Sequence, residues 1–132
     1  MKTAMFSRWR TSATVEDTRL EAGDITLHVI PASDHITVAV AGRVTVDSSP
    51  NLRFALLHLL RRKAAPVVLI ELSGVSYLDM SGLATFLEAL KAAREGSVKL
   101  RLAGMSGQAR ALAEIAQLDT IYRTWGSEVE FR

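Results

Sequence analysis

The 132-residue sequence contains no cysteine, which excludes disulfide bonds, thiolate catalysis and cysteine-based metal sites. It also has little excess charge, because 16 basic and 14 acidic residues leave a formal net charge of only +2. The basic residues are scattered along the chain rather than gathered on one segment. The composition therefore marks no nucleic-acid surface, and we expect no direct nucleic-acid partner.

Long apolar runs are absent as well. No stretch approaches the roughly 20 residues that a membrane-spanning helix needs, since the longest candidates are interrupted at Lys63 or Glu71. The first twenty residues carry charges every few positions and lack the continuous apolar region of a secretory signal. We therefore expect a soluble protein without a membrane span, most simply in the cytoplasm.

What remains is the composition of one ordinary globular domain. Hydrophobic residues make up 48% of the chain and charged residues 23%, and a chain of this length buries roughly two-thirds of its unfolded surface. Residues 1–23 are polar and without a clear period, so we interpret them as a flexible extension in which Phe6 and Trp9 are possible anchors. Residues 24–132 form the predicted domain.

Two alternating segments open the predicted domain, at 25–30 and 36–40, and the turn between them contains Pro31 and Asp34. This pattern predicts an antiparallel hairpin. Residues 67–72 are apolar almost without alternation, which is typical of a strand covered on both faces in a sheet flanked by helices.

The rest of the chain predicts helices that alternate with strands. Helical stripes cover 52–60, 83–90 and 109–116, a half-exposed strand near an edge covers 98–102, and the β-prone residues 121–131 complete the sheet. Ser49 before Pro50 predicts the N-cap of the first helix. The predicted fold is α/β, a single domain whose mixed sheet of about four to five strands is flanked by about three helices.

Two polar turns follow neighbouring strands of the predicted parallel part, at 74–82 and 104–107. We expect them at one end of the domain, with Asp47 and Ser48 beside them, because ligands and partners meet open α/β sheets at the carboxyl ends of the strands. Asp79, Ser81 and Gly82 lie where the central strand turns into a helix. Such residues are ordinary N-cap chemistry, yet a serine at this position is also where the helix dipole tolerates a phosphate.

Motifs for catalysis are missing. His28, His35 and His58 have no catalytic or metal-ligand spacing, and Ser81 lies in neither a G-x-S-x-G nor an S-x-x-K motif. No strand is followed by a G-x-x-x-x-G-K-[ST] or G-x-G-x-x-G loop. We therefore expect neither an enzyme nor a metal or cofactor site.

Four short motifs occur in a fixed order along the chain. They are Gly42-x-Val44 after the second strand, Asp47 before the first helix, Leu-Ser-Gly-Val at 72–75 and Asp-x-Ser-Gly-Leu at 79–83. Together they resemble the STAS domain, and within it the bacterial anti-sigma factor antagonists, over residues 25–123. The resemblance implies a STAS-like fold for the whole domain.

The resemblance also implies a partner-switching role in transcription regulation. In that family, the serine or threonine before the glycine is phosphorylated by an anti-sigma factor that is itself a serine kinase of the GHKL type. The matching residue here is Ser81. The unphosphorylated form is expected to bind the anti-sigma factor and so release a sigma factor, and a serine phosphatase is expected to restore it. The implied partner-binding residues are Asp47, Ser76, Tyr77, Asp79, Met80, Ser81, Gly82 and Thr85.

Two features depart from the family pattern, and three alternatives stay open. Met80 stands where the family often has a small residue, and the chain finishes IYRTWGSEVEFR where the family usually has another helix. The alternatives are a STAS subunit of a lipid-transport ABC complex, a scaffold of a stress-signalling assembly, and a module that binds a nucleotide or small molecule through Ser81 and nearby glycines. We expect a monomer or a weak dimer.

Overall fold

A computed structural model describes residues 16–132 of the chain, so Phe6 and Trp9 lie outside the described residues. The described part contains six strands and four helices: β1 (Thr18–Ala22), β2 (Ile25–Pro31), β3 (Ile36–Val44), α1 (Ser49–Arg61), β4 (Val67–Leu78), α2 (Met80–Glu95), β5 (Lys99–Met105), α3 (Gly107–Ile115), α4 (Leu118–Thr124) and β6 (Glu128–Phe131).

One sheet contains all six of these strands, in the order β1-β2-β3-β4-β5-β6. Strands β1, β2 and β3 pair antiparallel, which confirms the predicted hairpin, and β3 to β6 pair parallel. The prediction of a mixed α/β sheet is confirmed, with more strands than expected. Strand β1 lies within the residues that we predicted as an extension. Its sequence TRLEA is too short for a clear period of two.

The helices lie on one face of the sheet. Each parallel connection steps to the next strand in the same direction, and right-handed crossovers then place every connecting helix on the same side. Side chains of β4 accordingly alternate, with Val68 and Ile70 buried and Val67 and Leu69 partly exposed. The prediction that this strand is covered on both faces is therefore wrong, because an apolar run alone does not show whether its second face is covered.

Strand β4 is also longer than predicted. Residues 74–78, which we predicted as the first part of a polar turn, continue the strand, and Gly74 pairs with Ala41 while Leu78 pairs with Val44. A Cβ atom on Gly74 would lie only 2.9 Å from the Cβ of Ala41. This glycine therefore marks a close approach of two strands rather than a turn.

The carboxyl-terminal region contains a helix where we predicted a strand. Residues 118–124 form α4, and only 128–131 are extended. Leu118 and Tyr122 are four residues apart and both are fully buried, so packing of one helical face overrides the β-propensity of this segment. The tyrosine hydroxyl donates a hydrogen bond to the carbonyl of Phe86 in α2, and burial raises the pKa of Tyr122 well above its ordinary value.

Helix α1 begins at Ser49, so its N-cap is Ser48 and not Ser49 as predicted. The Ser48 hydroxyl is fully buried, donates to the carbonyl of Arg43 at 2.7 Å and accepts from the Thr45 amide at 3.0 Å. These bonds close a tight turn between β3 and α1. Within residues 16–132, no helix is long and apolar enough to cross a membrane.

Candidate functional site

The turn from β4 into α2 consists of one residue, Asp79, which lies between Leu78 at the end of the strand and Met80 at the start of the helix. Asp79 has an extended backbone, with φ −106° and ψ −175°, as an N-cap residue requires. Ser81 is the second residue of the helix and is partly exposed. The prediction that Ser81 follows a strand-to-helix turn is therefore confirmed.

The Asp79 carboxylate joins two backbone segments. Its Oδ1 atom accepts a hydrogen bond from the Gly82 amide at 3.0 Å, which confirms the predicted N-cap, and its Oδ2 atom accepts from the Val46 amide at 3.0 Å. The Asp79 amide in turn donates to the carbonyl of Val44 at 3.1 Å. Asp79 thereby fixes the first turn of α2 against the end of β3 and the turn that follows it.

Gly82 is a buried residue in the first turn of α2. A Cβ atom at this position would lie 2.5 Å from Cδ1 of Leu78, 2.8 Å from Cγ1 of Val44 and 3.0 Å from the carbonyl oxygen of Val44. Each of these distances is shorter than, or at the limit of, real Cβ contacts. The glycine after Ser81 is thus required by the close packing of the helix start on β3 and β4.

Thr85 lies one helical turn after Ser81. Its side chain is only 4% exposed, and its hydroxyl donates to the carbonyl of Ser81 at 3.1 Å. We predicted both Gly82 and Thr85 as partner-binding residues. The structure places both residues in the interior, next to the backbone that carries Ser81.

The turn between β3 and α1 lies beside Asp79, as the Val46 hydrogen bond shows. Asp47 is exposed there, in agreement with the predicted position at this end of the domain. Val46 was not among the predicted site residues, because no motif marks this apolar residue in the connection between the second predicted strand and the first helix. In the structure its side chain is 64% exposed.

Val46 and Met80 are two exposed apolar residues whose backbones both adjoin Asp79. Met80 is 66% exposed, and it follows Asp79 in the chain while Val46 is hydrogen-bonded to its carboxylate. A single exposed apolar side chain is common on protein surfaces. Two such residues next to Asp79, with Ser81 adjacent in the chain, provide exposed apolar surface at the start of α2.

Ser76 and Tyr77 lie in the last part of β4 and not in a loop. Tyr77 pairs with Arg43 of β3 in the sheet register, and the Arg43 guanidinium lies 4.5 Å from the centre of the tyrosine ring. This distance is that of a cation–π contact. The pair adds a cationic group near the same end of the sheet as Asp79.

Gln108, the second residue of α3, is a further site residue that we did not predict. Its Oε1 atom accepts from the Leu78 amide at 2.9 Å, and its Nε2 group donates to the Leu78 carbonyl at 2.7 Å. This contact confirms the prediction that the polar residues after the central strand and those after the next strand lie at one end of the domain. No motif in the sequence points to it, since the two residues are 30 positions apart.

The three histidines lie outside the turn around Asp79, and each contacts a different side chain. His28 in β2 contacts Asp17 at 2.7 Å, and His58 in α1 stacks on Phe54. His35 contacts the Asp34 carboxylate at 2.8 Å, and this hydrogen bond lowers the pKa of Asp34. The described residues contain no group of three or more histidine or carboxylate side chains placed to hold a metal ion.

Comparison with known proteins gives consistent matches. A family model described as "Mlab, STAS domain" matches residues 27–123. The anti-sigma-B factor antagonist of Listeria monocytogenes is 36% identical over 89 residues, covering 67% of this chain and 77% of the relative. The anti-sigma-B factor antagonist of Staphylococcus epidermidis is 31% identical over 108 residues, covering 81% and 99%.

The fold is likewise shared with a solved structure. The crystal structure of an anti-sigma factor antagonist from Mycobacterium paratuberculosis superposes with a TM-score of 0.66 at 22% sequence identity. The superposition covers 77% of this chain and 86% of that one.

Proposed function

The chain belongs to the STAS domain family, and from this premise we propose that it is an anti-sigma factor antagonist whose partner binding is switched by phosphorylation of Ser81. In the unphosphorylated form it would bind an anti-sigma factor that is a serine kinase, and so release a sigma factor. A serine phosphatase would return the modified protein to this form. The chain itself would act as a substrate and binding partner rather than as an enzyme.

The observation that supports this proposal most directly is the position of Ser81. Its side chain is partly exposed on the first turn of α2, while Asp79, Gly82 and Thr85 hold the backbone around it. A kinase needs an accessible hydroxyl in a defined place, and this arrangement supplies one.

The same position suits the phosphorylated state. The first amide groups of a helix and its dipole favour negative charge, so a phosphate on Ser81 need not unfold the helix start. Phosphorylation adds about −1.5 to −2 charge units and strong acceptor oxygens. A partner packed against the helix start would meet this charge directly, so binding is switched without a large rearrangement.

We propose that the partner contacts the exposed side chains around Ser81. Val46 and Met80 would supply apolar contact, and Asp47 would lie at the border of the surface. Ser76 and Tyr77 would extend the contact along the end of β4. Gly82 and Thr85, which are buried, would act only by shaping the turn.

The test is partner binding by variants at Ser81. We expect Ser81→Ala to bind the anti-sigma factor as well as the unmodified wild type, and Ser81→Asp and Ser81→Glu to bind at least about tenfold more weakly because they place charge at the contact. Ser33→Asp is the matched control, since it adds the same charge in the β2–β3 turn, at the opposite end of β3. Equal affinity for all these variants would contradict the proposal.

The modification itself is tested by incubation with candidate serine kinases from the same genome, followed by mass spectrometry of the peptides. We expect phosphate on Ser81 and none after Ser81→Ala. Phosphate at another residue would contradict the assignment of the phosphorylation site to Ser81. Co-purification with a transporter ATPase in place of a kinase would favour the lipid-transport alternative, and thermal stabilisation by a nucleotide would favour the ligand-binding one.

A further inference from the structure

The end of β4 has a strand neighbour on one side only. Strand β5 pairs with β4 over residues 67–71, and the pairing ends at Glu71 and Ala103. Strand β3, by contrast, accompanies β4 as far as Leu78. The last part of β4, which leads into the Ser81 turn, therefore lacks the support of β5.

Gln108 replaces that support at one residue. Neighbouring residues of a strand direct their backbone N–H and C=O groups to opposite sides. The Asp79 amide therefore bonds to Val44 of β3, whereas the amide and carbonyl of Leu78 point away from β3. A side-chain amide offers one acceptor and donor groups, the same kinds of partner that a peptide unit offers. Gln108 uses both with Leu78, at 2.9 Å and 2.7 Å, and so acts as a one-residue strand neighbour.

Leu78 connects this contact to Ser81. It immediately precedes Asp79, and its side chain packs so closely under the first turn of α2 that a Cβ on Gly82 would lie 2.5 Å from its Cδ1 atom. Any shift of Leu78 would therefore move both the N-cap residue and the turn that presents Ser81.

We infer that Gln108 is a positioning residue for the reaction at Ser81, an inference that rests on the proposed function. Its two hydrogen bonds hold the end of β4 in one position. They thereby hold the Ser81 hydroxyl where the partner kinase can phosphorylate it. The role differs from core packing, because Gln108 is exposed and the buried residues of α3 are Ala109 and Ala113. Removal of the Gln108 side chain thus leaves the core of the domain unchanged.

Hydrogen exchange of the isolated protein tests the positioning without any partner. In Gln108→Ala, we expect the backbone amides of residues 78–83 to exchange about tenfold faster, as loss of one or two net hydrogen bonds implies, with no change in β2 or the first half of β3. Gln108→Glu keeps the side-chain length and an acceptor but loses the donor at neutral pH, so an intermediate rate is expected. Glu114→Ala, an exposed side chain on the same helix, is the control. Exchange at 78–83 equal to wild type in Gln108→Ala would overturn the inference.

Kinase kinetics test the consequence at Ser81. With the partner kinase, we expect Gln108→Ala to lower kcat about tenfold while KM changes less than about twofold, because the hydroxyl is misplaced and the contact surface is kept. Glu114→Ala should match wild type. Unchanged kcat in Gln108→Ala would overturn the positioning role.

The two experiments separate this inference from the proposed function. If no kinase modifies the wild-type protein at Ser81, the proposed function fails, whereas the exchange experiment still decides whether Gln108 fixes the turn. If wild type is phosphorylated and Gln108→Ala behaves like Glu114→Ala in both measurements, the positioning role alone fails.

Discussion

Gly82 illustrates how a single residue fixes the site. Its neighbours leave no room for a Cβ, and one of them is the backbone oxygen of Val44, which cannot rotate away as a side chain can. For Gly82→Ala, overpacking of this kind costs about 1–3 kcal/mol, against a gain of up to about 1 kcal/mol in helix propensity. The packing term is the larger one, so we expect the substitution to destabilise the protein.

We expect Gly82→Ala to lower the free energy of unfolding by about 1–2 kcal/mol, measured by urea denaturation. Ala84→Ser changes an exposed residue two positions along the same helix and should stay within about 0.5 kcal/mol of wild type. A Gly82→Ala protein as stable as wild type would mean that the helix start relaxes away from β3 at little expense.

At this scale, the sequence predicts the identity of the site residues better than their roles. Asp79, Ser81 and Gly82 could be selected because N-cap residues and a glycine beside an apolar helix are a local pattern. The second bond of Asp79, to Val46, joins residues 33 positions apart, and the Gln108 contact joins residues 30 positions apart. Local patterns carry no information on such contacts, so Val46 and Gln108 were missed.

Helix α4 shows the same limit for a whole element. Its residues favour a strand when taken alone, whereas the burial of Leu118 and Tyr122 on one face, with the hydrogen bond from Tyr122 to α2, favours the helix. A further helix is thus present near the carboxyl terminus, but the chain closes with strand β6, so the predicted departure from a closing helix stands for the last residues. Strand β6 then follows as the outer parallel strand.

Tyr122 gives this element a measurable signature in alkali. Burial raises the tyrosine pKa in the folded protein, so the folded state retains the phenol proton at a pH where the unfolded chain, with a pKa of about 10, has lost it. The contribution of this group to stability is constant below about pH 10 and falls as the pH rises above that value.

We therefore expect Tyr122→Phe to reduce the stability near pH 7 by about 1 kcal/mol, through loss of the hydrogen bond to Phe86, and to flatten the decline above about pH 10. Urea denaturation at pH 7, 9 and 10.5 measures both effects. Tyr77→Phe is the matched control, because Tyr77 is partly exposed. An unchanged alkaline slope in Tyr122→Phe would contradict the prediction.

At the scale of the whole sheet, the packing of the described helices on one face is the property that the sequence could not predict. The alternation of elements predicts parallel strands and connecting helices, and this part is confirmed. The face on which each helix packs depends on the order of the strands in the sheet, and hydrophobic periodicity does not encode that order. Residues 67–72 were consequently interpreted as a strand covered on both faces.

Two neighbouring residues of β4 test the one-sided packing. Ile70 is fully buried on the face that the helices cover, whereas Leu69 is partly exposed on the other. We expect Ile70→Ala to reduce the free energy of unfolding by about 2–5 kcal/mol and Leu69→Ala by about 1 kcal/mol or less. Thermal or urea denaturation of the two variants gives the comparison. Equal losses would indicate that both faces are covered.

The single residue between β4 and α2 also sets how this surface can be altered by engineering. Inserting even one residue at Asp79 would rotate the helix start by about 100° and separate the carboxylate from at least one of its two amide partners. Loops often gain new specificity through changes in length, but this turn does not tolerate an insertion. A redesign that redirects this surface to a different protein partner should keep the backbone and change the side chains of Val46 and Met80.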